Sequence, residues 1–336
     1  MTLRKIYFFL IGLWLLIGCS NNPLKIDTSE IDVAITFINV DSLLINTDSI
    51  ELIEEHNRLK AEIKDIYLFE IGNCLRIGQV EDTAFYNSIK KFREDTSIIK
   101  LEKHIENAFL EKSIMENRIV AGFKHLKYHF PDGKIPKHIA YLNTLFSAGV
   151  YCTQKEIGIG MERFLGDSNE IIQQLNPQYH YDWMKKAMDA KYLERDVLTG
   201  WIATHYIHEA DGNLAENIIR WGKIIYLTEA CFPAEPSEII IRYTPEEYTW
   251  ALENENLFWQ YLVEEKLLFK IDDRIKMNML SEGPFTPGLP NQEGPDRLGQ
   301  FIGWRMVQKY MEKNNVTLKE MVRLPYNDIL QEYEID

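Results

Sequence analysis

The N-terminal segment constrains this chain most strongly. Residues 6–17 form an unbroken apolar run that follows Arg4 and Lys5. A membrane-spanning helix needs roughly 20 apolar residues, so this shorter run is typical of a secretory signal rather than of a transmembrane segment. Gly18 and Cys19 come directly after it, in the arrangement of a lipobox. We therefore expect residues 1–18 to be removed as a signal peptide by cleavage between Gly18 and Cys19, and Cys19 to carry diacylglycerol and a further acyl chain such as palmitate.

Lipidation of Cys19 determines where the remaining chain folds. Each buried methylene contributes about 0.8 kcal/mol, so several acyl chains on one residue hold a protein at a membrane almost permanently. Ser20 and Asn21 stand where an aspartate would favour the inner membrane, and no acidic cluster follows. This pattern predicts a lipid-anchored protein of the outer membrane that faces the periplasm. An ordinary secretory signal with a chance cysteine is the alternative.

Composition bounds the classes of fold and partner. The chain without its signal is long enough for one large domain or two small ones, and 46% apolar residues can form a substantial core. A formal net charge of −14 argues against nucleic acid as a partner. Cys74, Cys152 and Cys231 cannot all pair, so buried free thiols are favoured over the alternative of one disulfide.

Apolar periodicity along the chain indicates an α+β fold that is predominantly helical, with a small central sheet. We divide the chain into four parts: the signal peptide 1–18, a lipid anchor and tether 19–30, a mostly helical region 31–122, and a second region 123–336. Residues 31–44 alternate like an extended segment, and residues 139–147 and 149–162 resemble strands. Helices are predicted at residues 50–71, 83–92, 98–126, 195–210, 214–230, 244–268 and 297–314, and from Thr317 onward. Capping boxes at Thr244 and Thr317 support two of these helix starts.

One segment has the composition of a metal site. His205 and His208 would lie one turn apart on a helix, and Asp211 or Glu229 could supply a third ligand for zinc. His208-Glu209 also begins the His-Glu-x-x-His pattern of zinc proteases, but Gly212 stands where the second histidine belongs. The alternative is a helix end at which the histidines cap carbonyl groups. Because the ligand set is incomplete, we predict no metal and no other cofactor.

The C-terminal part is rich in aromatic residues. Trp250, Trp259 and Trp304 are candidates for a surface that binds a partner protein, and core packing is the alternative for the same residues. Gly299 and Gly303 lie one turn apart inside an apolar helix. Glycine in a helix costs about 1 kcal/mol relative to alanine, so these two positions predict a close approach by another helix.

Several spaced motifs resemble the gliding-motility lipoprotein B family (GldB) of Bacteroidetes. They are His-Leu-Lys-Tyr-His-Phe-Pro at 125–131, Gly-Met-Glu-Arg-Phe-Leu-Gly at 160–166, Trp-Gly-Lys-Ile-Ile-Tyr at 221–226, and the segments 243–261 and 299–311. The resemblance runs from about Phe123 to the end of the chain and includes the lipobox. It implies an outer-membrane lipoprotein associated with gliding motility and type IX secretion.

The family resembles zincin metalloproteases that have lost their zinc ligands, which implies a degenerate zincin-like domain. Trp221-Gly222 would stand where a Glu-Gly pair supplies the third ligand in active relatives. This favours a pseudo-metalloprotease without catalysis, a scaffold whose partners are the membrane, through its acyl chains, and other envelope lipoproteins or secretion and motility proteins. The alternatives are a periplasmic zinc-dependent hydrolase that uses His205 and His208, and a glycan- or peptide-binding module that uses exposed tryptophans.

Overall fold

The computed structural model describes residues 22–46, 51–77, 85–209, 211–289 and 294–334. The predicted signal peptide and Cys19 lie outside these residues. In the described part of the chain, no helix combines the length and the apolar character needed to cross a membrane.

The first half of the chain is mainly helical, as predicted. Its elements are β1 (Thr36–Asn39), α1 (Val40–Asn46), α2 (Glu51–Glu62), α3 (Lys64–Phe69), a π-helical turn (Glu70–Cys74), α4 (Phe85–Glu94), α5 (Thr96–Ala108) and α6 (Lys112–His129). Residues 31–44 were expected to be extended, but the strand ends at Asn39 and residues 40–44 are helical. Val40 and Leu44 lie one turn apart and both are buried, so burial of one helix face outweighs the alternating pattern.

A four-stranded sheet lies between two hydrophobic cores. Its remaining strands are β2 (His138–Leu142), β3 (Val150–Cys152) and β4 (Glu156–Gly160), in the order β1-β2-β4-β3. Strands β1, β2 and β4 are parallel, and β3 is antiparallel to β4. Alternate residues of β2 face opposite sides of the sheet: Ile139 joins the larger core with the C-terminal helices, and Ala140 joins the smaller core with α2 to α4.

The rest of the chain is helical, apart from loops and short turns. The helices are α7 (Glu170–Gln174), α8 (Asp182–Lys186), α9 (Leu193–His205), α10 (Leu214–Cys231), α11 (Ser237–Ile241), α12 (Pro245–Glu253), α13 (Glu255–Glu264), α14 (Asp273–Leu280), α15 (Leu298–Lys313), α16 (Leu318–Arg323) and α17 (Tyr326–Gln331). The α+β, predominantly helical class is therefore confirmed. Both predicted capping boxes are present, at Thr244 and at Thr317. The single helix expected over 244–268 is interrupted at Asn254 and ends at Glu264.

Helix α10 lies at the centre of the larger core and packs on α15 through glycines. A Cβ on Gly303 would lie 2.0 Å from the carbonyl oxygen of Ile218, and one on Gly222 would lie 2.1 Å from the carbonyl oxygen of Gly303. Gly299 likewise packs against the backbone of Met279 in α14. The predicted close approach at Gly299 and Gly303 is therefore confirmed, and its partners are α14 and α10.

The predicted boundary between residues 122 and 123 falls inside α6. Strand β1 comes from one side of that boundary and pairs with β2 from the other, with Thr36 opposite His138. The division into two regions stays a prediction. Cys74, Cys152 and Cys231 are all free thiols, as the sequence favours.

Candidate functional site

The two candidate zinc ligands do not share a helix face. Helix α9 ends at His205, so His208 lies beyond the helix and is exposed. The His205 ring packs on Trp201, with ring centroids 3.9 Å apart, and its Nε2 lies 2.9 Å from the carbonyl oxygen of Thr153. Burial lowers the pKa of His205. The residues that the structure describes hold no group of three or more histidine, cysteine or acidic side chains placed to bind a metal ion.

Two of the other predicted side chains contact each other instead of forming a site. Trp304 is fully buried, and its Nε1 donates a hydrogen bond of 2.8 Å to Glu229 on α10. Gln308 donates a second hydrogen bond to the same carboxylate. The predicted role of Trp304 in a partner surface is therefore wrong, because the close packing of α10 on α15 encloses this side chain. Burial raises the pKa of Glu229.

The other two tryptophans are partly buried. Trp250 covers Gly294, where a Cβ would lie 2.4 Å from the indole ring. Trp259 packs edge-on against Tyr333, with ring centroids 5.2 Å apart. Both also pack against the larger core. Their role in binding a partner stays a prediction.

Four arginines line one open cavity of about 400 Å³, which we call the arginine pocket. Arg163 comes from the turn after β4, Arg195 from α9, Arg242 from the residue after α11, and Arg297 from the residue before α15. Apolar walls and polar groups complete the lining: Val150, Phe164, Trp221, Leu280, Thr199, Ser281, Gln300, Asp196, Glu282, Gly149 and Gly200. The pocket thus lies where the sheet meets the C-terminal helices.

Ion pairs hold three of these arginines in place. Asp196 accepts a hydrogen bond from Arg195 at 2.8 Å and lies 3.3 Å from Nε of Arg242. Arg242 also pairs with Glu282 at 2.6 Å, and Arg297 with Asp296 at 2.8 Å. Desolvation raises the pKa of Glu282, but the charges of the arginines outweigh it and hold that pKa below its ordinary value.

Two of the arginines have a backbone conformation that residues with a side chain rarely adopt. The φ angles of Arg242 and Arg297 are 66° and 51°, in the left-handed region. Glycine usually occupies such positions, and other residues there store strain of order 1–3 kcal/mol. Each guanidinium also lies over an aromatic ring, Arg242 over Tyr192 and Arg297 over Tyr243. Strain held in this way is common at ligand-binding sites.

A second unusual group is a buried carboxyl cluster at the carboxyl ends of the parallel strands. Asp41 follows β1 and Glu162 follows β4, while Glu70 comes from the π-helical turn and Glu102 from α5. Oε1 of Glu162 accepts hydrogen bonds from the backbone N–H and the hydroxyl of Thr144, at 2.9 and 2.6 Å. Both carboxyl oxygens of Glu70 are fully buried.

Burial raises the pKa of each member of this cluster. The pKa of Glu70 rises to about 8 and that of Glu102 to about 7, and those of Asp41 and Glu162 also rise. Since a carboxylate in an apolar interior is costly, the cluster holds its protons more tightly than exposed carboxyl groups do. Its acidic groups are suited to holding protons, which distinguishes this cluster from the positively charged arginine pocket.

Comparison with models of protein families shows which family this chain belongs to. A family model described as gliding motility protein GldB matches residues 21–334. The chain belongs to the GldB family. No curated protein and no solved structure matches it significantly.

Membership in the GldB family makes this chain a gliding-motility-related lipoprotein of the cell envelope. The match begins far upstream of Phe123, so the resemblance extends over the N-terminal helical region as well. The zincin-like relationship stays a prediction. Gly222 packs against α15 and Trp221 lines the arginine pocket, which gives both residues a structural setting unrelated to zinc.

Neither the arginine pocket nor the carboxyl cluster was predicted from the sequence. The arginines are spread over more than one hundred residues, and no local spacing connects them. The carboxyl cluster had a partial signal, since Asp41 and Glu162 each come two residues after an apolar strand. Side chains that follow parallel strands of one sheet lie at the same edge of that sheet, so this position could have indicated them.

Proposed function

We propose that this GldB family member is a lipid-anchored outer-membrane scaffold of the gliding-motility and type IX secretion machinery, which docks partner proteins without catalysis. The match to the GldB family over nearly the whole described chain is the observation that carries this proposal. The acyl chains of Cys19 would hold it at the membrane, facing the periplasm.

The distribution of exposed apolar side chains supports docking by the C-terminal part. Six large apolar residues between positions 252 and 277 are exposed: Leu252, Leu257, Val263, Phe269, Ile271 and Met277. Phe269 and Ile271 each leave about two thirds of their surface in solvent, at 64% and 68%. Concentrations of exposed apolar surface mark protein interaction sites. We therefore infer that this segment, here called the 252–277 segment, contacts another protein of the motility machinery.

Crosslinking in intact cells of the source organism tests this function. We expect the wild-type lipoprotein to form crosslinked species with other envelope proteins. The double variant Phe269→Ser, Ile271→Ser should lose most of them, because truncation of central apolar contacts typically costs more than about 1 kcal/mol of binding each. Leu110→Ser is the matched control, since Leu110 is more exposed, at 79%, and lies far from this segment in the sequence. A wild-type protein recovered only as an uncrosslinked monomer would contradict the scaffold role.

A further inference from the structure

The arginine pocket has an excess of positive charge in a strongly acidic chain. The four arginines and the carboxylates of Asp196, Glu282 and Asp296 have a formal charge of +1 together, whereas the whole chain has −14. The three carboxylates pair with Arg195, Arg242 and Arg297. Arg163 is the remaining member, and no described carboxylate lies within ion-pair distance of it.

Arg163 has weaker partners within the described protein than the other three arginines. Its one hydrogen bond to a described residue is a long one, 3.4 Å from Nη1 to the carbonyl oxygen of Phe146. Burial lowers the pKa of the Arg163 guanidinium, and the nearby carboxylates of Glu282, Glu162 and Asp196 offset only part of this cost. An anion in the pocket would remove that cost, since a buried charge is stabilised by a partner of opposite sign.

The other arginines are fixed before any ligand arrives. Arg195 donates through Nε to the carbonyl oxygen of Ile240 at 2.9 Å, and Arg297 donates through Nη2 to that of Arg242 at 3.0 Å. Arg242 and Arg297 both have a strained backbone conformation, and both line the pocket. Side chains held in this way lose little conformational freedom on binding.

Size and polarity restrict the anion further. The single excess positive charge matches a monoanion such as a carboxylate, whose two oxygens fit the planar donor edge of a guanidinium. Val150, Phe164, Trp221 and Leu280 add apolar wall to a cavity of about 400 Å³, which has room for an apolar group beside the carboxylate.

We propose that the arginine pocket binds one carboxylate group attached to an apolar body, with Arg163 forming an ion pair with that carboxylate. Such a group occurs at the C-terminus of a polypeptide and in free carboxylic acids. The lining of the pocket includes no residue of the 252–277 segment, so the proposal does not depend on the docking role proposed above.

Calorimetric titration of the full-length lipoprotein in detergent micelles, at low salt, tests the proposal. The probe is N-acetyl-L-phenylalanine, and its neutral amide is the matched control ligand. We expect the acid to bind and the amide to bind at least about tenfold more weakly, because removal of one charge-assisted hydrogen-bonded pair costs about that much affinity. Equal binding of acid and amide, no binding of the acid, or tighter binding of inorganic phosphate would overturn the proposal.

Variants of Arg163 connect that binding to the pocket. Arg163→Gln should weaken acid binding by about tenfold or more, and Arg163→Lys, which keeps the charge but loses the planar donor pair, should fall between it and wild type. Arg58→Gln on the surface of α2 is the matched control and should bind like wild type. Thermal melts test whether each variant is folded. If Arg163→Gln does not fold, the result for Arg163→Lys decides the outcome. Wild-type affinity in both Arg163 variants would overturn the assignment.

Two peptides then distinguish the sources of the carboxylate. A pentapeptide that ends in phenylalanine with a free carboxylate is compared with the same peptide carrying a C-terminal amide. Binding of the peptide with the free carboxylate, without binding of the peptide amide, supports the carboxylate site and identifies a polypeptide C-terminus as the ligand. Binding of N-acetyl-L-phenylalanine without binding of either peptide supports the site with a free carboxylic acid as its ligand.

Discussion

At the scale of single residues, burial reverses the ordinary behaviour of acids in this chain. Asp41, Glu70 and Glu162, all members of the carboxyl cluster, have almost no exposure. Their raised pKa values mean that the folded state holds these protons more tightly than the unfolded chain does. The contribution of such a group is full below its unfolded pKa and is lost as the pH rises through its folded pKa.

Glu70 offers the clearest test of that dependence, since its pKa rises from 4.5 to about 8. We expect Glu70→Gln to raise the free energy of unfolding at pH 8 by on the order of 1–3 kcal/mol, because a buried charge no longer forms, and to have little effect at pH 5. Glu264→Gln, at the exposed end of α13, is the control and should change little at either pH. Chemical denaturation of the three proteins at both pH values measures this. An effect of Glu70→Gln that is the same at pH 5 and pH 8 would refute the proton-holding role.

At the scale of secondary-structure elements, the contact between α10 and α15 depends on two glycines, which have no side chain. Gly222 and Gly303 let the two backbones approach more closely than any side chain would allow. That approach also brings Trp304 against Glu229, inside the molecule and away from any partner. One pair of glycines thus determines both the packing of the core and the burial of Trp304, for which the sequence left a partner surface and core packing as alternatives.

Gly303→Ala tests this packing. Helix propensity alone would favour alanine by about 1 kcal/mol, but the new Cβ would lie 2.0 Å from the carbonyl oxygen of Ile218 and must push the helices apart. We expect a net loss of about 2–3 kcal/mol in the free energy of unfolding. Gly72→Ala is the matched control, since a Cβ there meets nothing within 4 Å. Denaturant titration compares them, and a stabilised Gly303→Ala would show that the contact is looser than the structure indicates.

At the scale of the whole molecule, the predicted tether at residues 19–30 contacts the folded body from Asn22 onward. Leu24 is buried in the larger core at 7% exposure, and the side chain of Asn22 donates a hydrogen bond to the carbonyl oxygen of Pro233 at 3.0 Å. Leu24 lies five positions after Cys19, and an extended chain spans at most about 3.6 Å per residue, so roughly 18 Å in all. With acyl chains on Cys19, the surface around Pro233 would lie against the membrane.

A longer tether should release the body from the membrane without unfolding it. We expect 16 glycine and serine residues, inserted after Ser20, to add a root-mean-square length of about 22 Å. Energy transfer from a fluorophore on Ala234→Cys, in a Cys152→Ser background, to a dye in the lipid headgroups measures the separation. The parent should show strong transfer and the insertion variant weak transfer, with equal melting temperatures. Equal transfer in the two proteins would show that something other than the short tether sets the distance.

Features that depend on neighbouring residues were predictable from the sequence. The capping boxes at Thr244 and Thr317 and the close approach at Gly303 all follow from local hydrogen bonding or from the absence of a side chain. The helical character of the chain and its small sheet follow from apolar periodicity in the same way. The motifs after Phe123 indicate the GldB family through the identity and order of their residues alone.

Only the tertiary structure decided which side chains share a site. Arg163 and Arg297 are separated by more than one hundred residues, yet they line the same pocket. His205 and His208 are three residues apart, yet the end of α9 separates them. Trp304 and Glu70 are buried by partners from distant segments, and burial changes what each can do. Periodicity and spacing report local geometry, whereas charge pairing, exposure and pKa depend on which distant segments pack together.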